Sequence, residues 1–180
     1  MQGNELRMRI NSKIPSSFCV SVLQLFICLI SINILIFTSS PVFAIEDCTV
    51  SSTGVSFGTY VYTTPSPTNS TGSIQVSCSL LGIVSLLVGY DILLSSGNSG
   101  SHSTRQLQNG TNSLQYNLYT NAGRTIIWGD GNSGSSKISD GYLLGLGTIV
   151  RNYNIYGSIL SSQNVPKGNY TDFITVTVNY

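Results

Sequence analysis

The chain has 180 residues, eight Lys and Arg against seven Asp and Glu, and a charged fraction of only 8%, where roughly 25% is usual in soluble proteins. Residues 45–180 hold five of the bases and six of the acids, a net of −1, so there is no basic patch to displace phosphate counterions and nucleic-acid binding is excluded. Ser, Thr and Asn fill 49 of those 136 positions, a polar but scarcely charged surface that suits an extracellular structural protein better than a cytosolic enzyme.

The first element in chain order is an address. Arg7, Arg9 and Lys13 precede an uncharged run over residues 18–37, followed by Ser39-Ser40-Pro41-Val42-Phe43-Ala44. Basic head, apolar stretch and small residues at a V-x-A step predict a secretory signal peptide over residues 1–44, cleaved after Ala44. The alternative is a membrane anchor, because the apolar run is long enough to span a bilayer. Cleavage would leave no stable membrane span. Residues 45–180 are then a single domain with one core.

Cys19 and Cys28 leave with the signal, and Cys48 and Cys78 remain. An exported pair in an oxidising compartment predicts a disulfide. A metal site is the rival, but His102 stands alone and three or four ligands are needed, so no metal is expected.

After Ala44 no stretch has a helical period. Alternation broken by turn residues predicts about seven short strands in a β-sandwich. Ile74, Val76 and Cys78 alternate with polar neighbours, as do Leu114, Tyr116 and Leu118, and then Ile155, Gly157 and Ile159. Residues 83–88 and 90–94 are more continuously apolar, as expected of strands covered on both faces. The last segment is the clearest, with Ile174, Val176, Val178 and Tyr180 on one side of a strand. Residues 63–69, 95–103, 129–136 and 165–168 are rich in Pro, Gly, Ser or Asn and read as loops and turns.

Residues 129–134 match G-x-G-x-x-G by letter, but no helix follows to present its amides to a pyrophosphate, so the segment reads as a hairpin loop and no cofactor is expected. Asp130 and Asn132 lack the later ligands of a calcium loop. Nothing in the sequence positions His102 against a serine and a carboxylate, so no catalytic residue is named and no enzyme is expected. The tyrosines Tyr116, Tyr119, Tyr153, Tyr156 and Tyr180 fall in predicted strands, where packing is their natural role.

An ordered series of motifs resembles a known family. Asp47-Cys48-Thr49-Val50 with Gly54-Val55-Ser56-Phe57-Gly58 resembles the opening of the spore coat protein U domain, and Thr71-Gly72-Ser73-Ile74-Gln75-Val76-Ser77-Cys78 its second cysteine strand. Arg105-Gln106-Leu107, Leu114-Gln115-Tyr116-Asn117-Leu118-Tyr119, Trp128-Gly129-Asp130-Gly131 and Tyr153-Asn154-Ile155-Tyr156-Gly157 are similar to its middle, and residues 168–180 to its close. The resemblance covers the whole of residues 45–180. It includes the pilins of archaic (Csu-type) chaperone–usher pathways.

The resemblance implies an all-β, immunoglobulin-like sandwich that is incomplete, lacking its last strand. A periplasmic chaperone would supply that strand first, and the N-terminal extension of another pilin subunit would replace it at an outer-membrane usher. It further implies that Ile174, Val176, Val178 and Tyr180 line the acceptor groove opposite Val50, Val55 and Phe57, and that Cys48 and Cys78 join the first two strands. Adhesion, biofilm formation and a place at the cell surface, in a pilus, follow from the same likeness. Cleavage after Ala44 leaves only Ile45-Glu46-Asp47 before the first cysteine, about 10 Å of extended chain. The expectation is a subunit that accepts a strand without donating one, at the tip or another terminus of the fibre. A self-contained coat-like surface protein is the alternative.

Overall fold

The computed structural model describes residues 4–13, 45–81, 86–144 and 147–179. The regular elements among them are ten strands and one 3-10 turn at Gly97–Ser99. The strands are β1 (Asn4–Lys13), β2 (Ile45–Thr53), β3 (Ser56–Gly58), β4 (Thr68–Leu81), β5 (Leu86–Leu94), β6 (Arg105–Asn109), β7 (Asn112–Tyr119), β8 (Ile138–Leu144), β9 (Gly147–Ile159) and β10 (Thr171–Asn179). The expected alternations hold in β4 and β10, while in β7 and β9 the polar Asn117 and Ser158 are buried as well; residues 95–103 lie outside the strands, and of the loop expected at 63–69 the last two, Thr68 and Asn69, already belong to β4. Two short strands, β6 and β8, and the N-terminal β1 were not anticipated.

The hydrogen-bonded order is β2-β4-β9-β7-β6-β10-β1-β3, with β5 on β10 and β8 on β5. Every pairing is antiparallel except that of β1 with β10, which is parallel. The sheet folds over at the β6/β10 step, where only Thr171 and Gln108 pair. Phe57 of β3 thereby meets Tyr116 of β7 edge-to-face, at 5.9 Å between ring centroids, although several strands separate them in the sheet. Two layers enclose one core.

That core follows from the two-residue period of strands. On β10, Asp172, Ile174, Val176 and Val178 are buried, while Phe173 between them is 54% exposed. Ile74, Val76 and Cys78 of β4, Leu114, Tyr116 and Leu118 of β7, and Ile155 and Ile159 of β9 point into the same cluster. Gly157 keeps the β9 row open at its centre. A Cβ there would lie 2.7 Å from Val55 and 2.8 Å from Phe57.

One end of β4 is locked covalently. Cys48 and Cys78 face each other directly across the β2/β4 ladder and form a disulfide with a Cα–Cα distance of 4.1 Å.

Arg105, fully buried, holds three elements together. Its guanidinium donates to the Ser95 and Trp128 carbonyls and to Asn117 Oδ1, at 2.7–3.1 Å. Burial draws its pKa below the ordinary arginine value. Buried Asp172 accepts from Tyr116 Oη at 2.8 Å and from the Asn98 and Phe173 amides at 2.8–2.9 Å, so the carboxylate is fully served inside the protein. Burial, then the Asp172 charge, pushes the Tyr116 phenol well above its ordinary value and keeps it a donor.

Candidate functional site

The candidate site is the seam between β3 and β10. Chain residues 45–58 make a long first strand that changes partner in the middle. Up to Thr53 it pairs with β4, and from Ser56 it pairs with β1. The crossing falls at Gly54 and Val55, which lie between the two strand segments. β10 presents its second edge to the same gap. Its other edge is taken by β6 at Thr171, by β5 over Val176–Asn179, and between them by Ser95, whose amide donates to the Thr175 carbonyl and whose Oγ accepts from the Thr175 amide.

Among the described residues of 45–179, no strand fills this gap. Its occupant is β1, in register from Glu5 opposite Thr171 to Lys13 opposite Asn179. The Leu6 amide donates to the Val55 carbonyl at 3.1 Å on the other flank. Leu6 is 1% exposed and belongs to the core; Met8 is half-buried against it, and Arg9 points to solvent. The fit at the crossing is tight, because a Cβ on Gly54 would sit 2.3 Å from the Leu6 carbonyl oxygen.

Of the seven residues expected to line a groove, five are buried in the core. Ile174, Val176 and Val178 lie on β10, Phe57 on β3, and Val55 at the crossing. Val50 is half-buried on β2, opposite Val76 of β4, because the first strand has not yet switched partner at that position. Tyr180 lies outside the described residues. The cysteines join the first two strands after Ala44, as the likeness implied.

Sequence reasoning missed β1 itself. Leu6, Met8 and Ile10 alternate with Glu5, Arg7 and Arg9, the signature of a strand with one apolar face. The basic residues that mark a signal peptide's head masked that period.

Two further features lie apart from the groove floor. A cleft of about 620 Å³ at the end where β1 starts is lined by Tyr60, Tyr62, Leu114, Val165, Pro166 and Tyr170 among others. On the other side, Tyr90 and Tyr153 share a hydrogen bond of 2.5 Å, and Tyr153 Oη donates to Asp140 at 2.5 Å. Burial and the bond to Asp140 raise the Tyr153 phenol far above its ordinary value, while that same bond lowers Asp140. His102 points Nε2 at the Leu94 carbonyl, 3.1 Å away, and Nδ1 at Asp130, 3.8 Å away. Among the described residues no cluster of His, Cys, Asp or Glu is arranged to hold a metal ion, and no helix is long and apolar enough to cross a membrane.

The family model of the Spore Coat Protein U domain matches residues 34–177. The chain belongs to the Spore Coat Protein U domain family. One relative is Protein U of Myxococcus xanthus, 32% identical over 112 residues, which are 61% of this chain and 59% of that protein. The chain therefore spans under two thirds of that relative's length. Among solved structures, the chain is similar to one from the chaperone–tip adhesion subunit pre-assembly complex of the archaic chaperone–usher Csu pili of Acinetobacter baumannii. That likeness has a TM-score of 0.47 and 21% identity, over 76% of this chain and 40% of the other.

Proposed function

We propose that this chain is a secreted structural subunit of an archaic chaperone–usher pilus or a related surface structure, assembled by adding a foreign strand between β3 and β10. One observation carries the reading: the described residues of 45–179 leave two strand edges and an apolar floor, and a strand from outside that span closes them. An open seam of that kind would expose unpaired amides and carbonyls above Val55, Phe57, Ile174, Val176 and Val178, a template for another chain. Membership of the Spore Coat Protein U domain family supports an exported coat or fibre protein.

In this proposal residues 1–44 are the export signal and 45–180 the working domain. A periplasmic chaperone first lends the strand, and another pilin replaces it at the outer-membrane usher. With only Ile45-Glu46-Asp47 ahead of Cys48, the subunit accepts without donating, which places it at the tip or another terminus of the fibre. Surface adhesion and biofilm formation are what such a fibre serves at the cell surface.

Periplasmic co-expression of the full chain with an archaic-type chaperone tests this. The expected product is a soluble one-to-one complex whose subunit begins at Ile45 by mass spectrometry. A subunit that is abundant and monomeric without any chaperone overturns it. A start well before residue 40 removes the acceptor-only role.

A second reading has its own support. The groove is filled here by the chain's own residues, as a self-contained, coat-like surface protein would require. In that case β1 stays attached in the exported protein, which the same mass measurement reveals.

A further inference from the structure

We propose that the cleft between the turn after β3 and the segment leading into β10 is a binding site for acidic saccharides, sugars that carry a carboxylate. All of its lining falls within residues 59–170. The site therefore needs neither the export segment nor a strand in the seam, and it goes beyond any role in a fibre.

Side chains, not a sheet, hold the cleft open. Residues 160–170 lie outside the strands, yet they are pinned at three places. The Gln163 side chain pairs with the Gln115 backbone as a strand would, accepting from its amide at 2.7 Å and donating to its carbonyl at 2.8 Å. Tyr60 Oη donates to the Leu160 carbonyl at 3.0 Å and accepts from the Gln163 amide at 2.8 Å. Tyr170 Oη donates to the Pro166 carbonyl at 2.8 Å. In the segment after β3, the Thr64 amide closes a turn onto the Val61 carbonyl at 3.1 Å, with Tyr62 inside the turn and half exposed. The volume of about 620 Å³ falls in the roughly 300–1,000 Å³ range of small-ligand sites, and the cleft is formed before any ligand arrives.

The same hydrogen bonds decide what the cleft can offer. Tyr60 and Tyr170 have committed their hydroxyls to main-chain groups, so they bring ring carbon to the lining, beside Leu114 and Val165. Aromatic faces of that kind suit the flat, C–H-covered side of a sugar ring. Charge comes from Lys167. Among the described residues no Asp, Glu, Arg or His joins it in the lining, and no carboxylate pairs with it. The complementary ligand has one apolar face, polar groups at its edge and a negative charge. A sugar ring with a carboxylate combines the three, whereas a basic sugar would meet the lysine with like charge.

The test titrates trigalacturonate, and its methyl ester as the uncharged match, into the exported protein made from the full chain, free or with its chaperone. Binding is read by calorimetry. The acid should bind about two- to fivefold more tightly than the ester, as one exposed ion pair allows, and high salt should close the gap. Lys167→Gln should close it as well and leave the ester unaffected. Tyr62→Ala should weaken both sugars at least about fivefold. Phe173→Ala, exposed on β10 outside the cleft, should leave both unchanged. No heat from either sugar at about 10 mM would overturn the proposal. Equal binding of acid and ester would do the same, as would equal losses in Tyr62→Ala and Phe173→Ala. A short peptide with a free C-terminal carboxylate that binds in place of the sugars, with the same dependence on Tyr62 and Lys167, would overturn the assignment to saccharides. None of these readings depends on whether the chain builds a pilus.

Discussion

β4 and β10 are both paired along both edges, yet their neighbours are of different kinds. β4 lies between β2 and β9, with thirteen consecutive partners on β9 and a disulfide to β2. β10 has β5 and β6 on one side, and on the other a strand held through residues 14–44. The two strands bury equally apolar side chains, Ile74 and Val76 in one, Ile174, Val176 and Val178 in the other. What separates them is therefore not core packing but the permanence of the neighbouring backbone. A sheet is only as closed as the segment that satisfies its last edge.

The comparison can be broken most forcefully at the disulfide. Replacing Cys48 and Cys78 by Ala frees a loop of 30 residues, and should cost about 3–4 kcal/mol in the chain-entropy account. Urea denaturation of oxidised and variant protein measures it. A change under about 1 kcal/mol would mean that β2 is held by its ladder alone, and that the two regions are less different than their chemistry implies.

A matched pair of truncations sharpens it. Ile74→Ala and Ile174→Ala remove the same fully buried side chain from each region, and each should cost about 2–5 kcal/mol. Only Ile174→Ala should also speed hydrogen exchange at the β1 amides opposite it, because Met8 faces Ile174 in the register. Equal exchange effects in both variants would show that the seam opens only with global unfolding.

The smallest effect concerns the tyrosine pair, where the sign depends on pH. Asp140 is lowered by its bond from Tyr153, so its contribution is present above the unfolded carboxylate pKa, about 4, and is lost as the pH falls through the folded value. Tyr153 and Tyr90 are raised, so theirs is present below about pH 10 and fades as the pH rises past it. Stability should be flat between these limits. Tyr153→Phe should lower it by about 1 kcal/mol at neutral pH and shrink the acid-side slope. An unchanged slope in a pH series of melting curves would remove Asp140 from the account.

The strands that were legible are those whose period is carried by large apolar residues over six or more positions, as in β7 and β10. β6 and β8 were harder because one is only five residues long and the other is interrupted by Ser139, Asp140 and Gly141. Arg105 shows another limit. Its place opposite Tyr116 in the β6/β7 hairpin is local, but the acceptors that make its burial tolerable, at Ser95 and Trp128, come from loops on either side. A buried arginine can be read from sequence only when its partners are known. Val50 and Phe57 read as one strand in the sequence but pair with different neighbours; the change of partner at Gly54 is a tertiary event with no signature beyond the glycine.

Synthesis order gives the seam one more property. β2 and β4 are close in the chain, and once exported can be sealed by oxidation without waiting for the rest of the sheet. β1 is the first strand to be made and β10 the last, so Glu5 cannot find Thr171 until translation is nearly complete. Contacts that far apart close slowly. The newborn molecule thus acquires a rigid hairpin early, and its final edge stays unzipped longest.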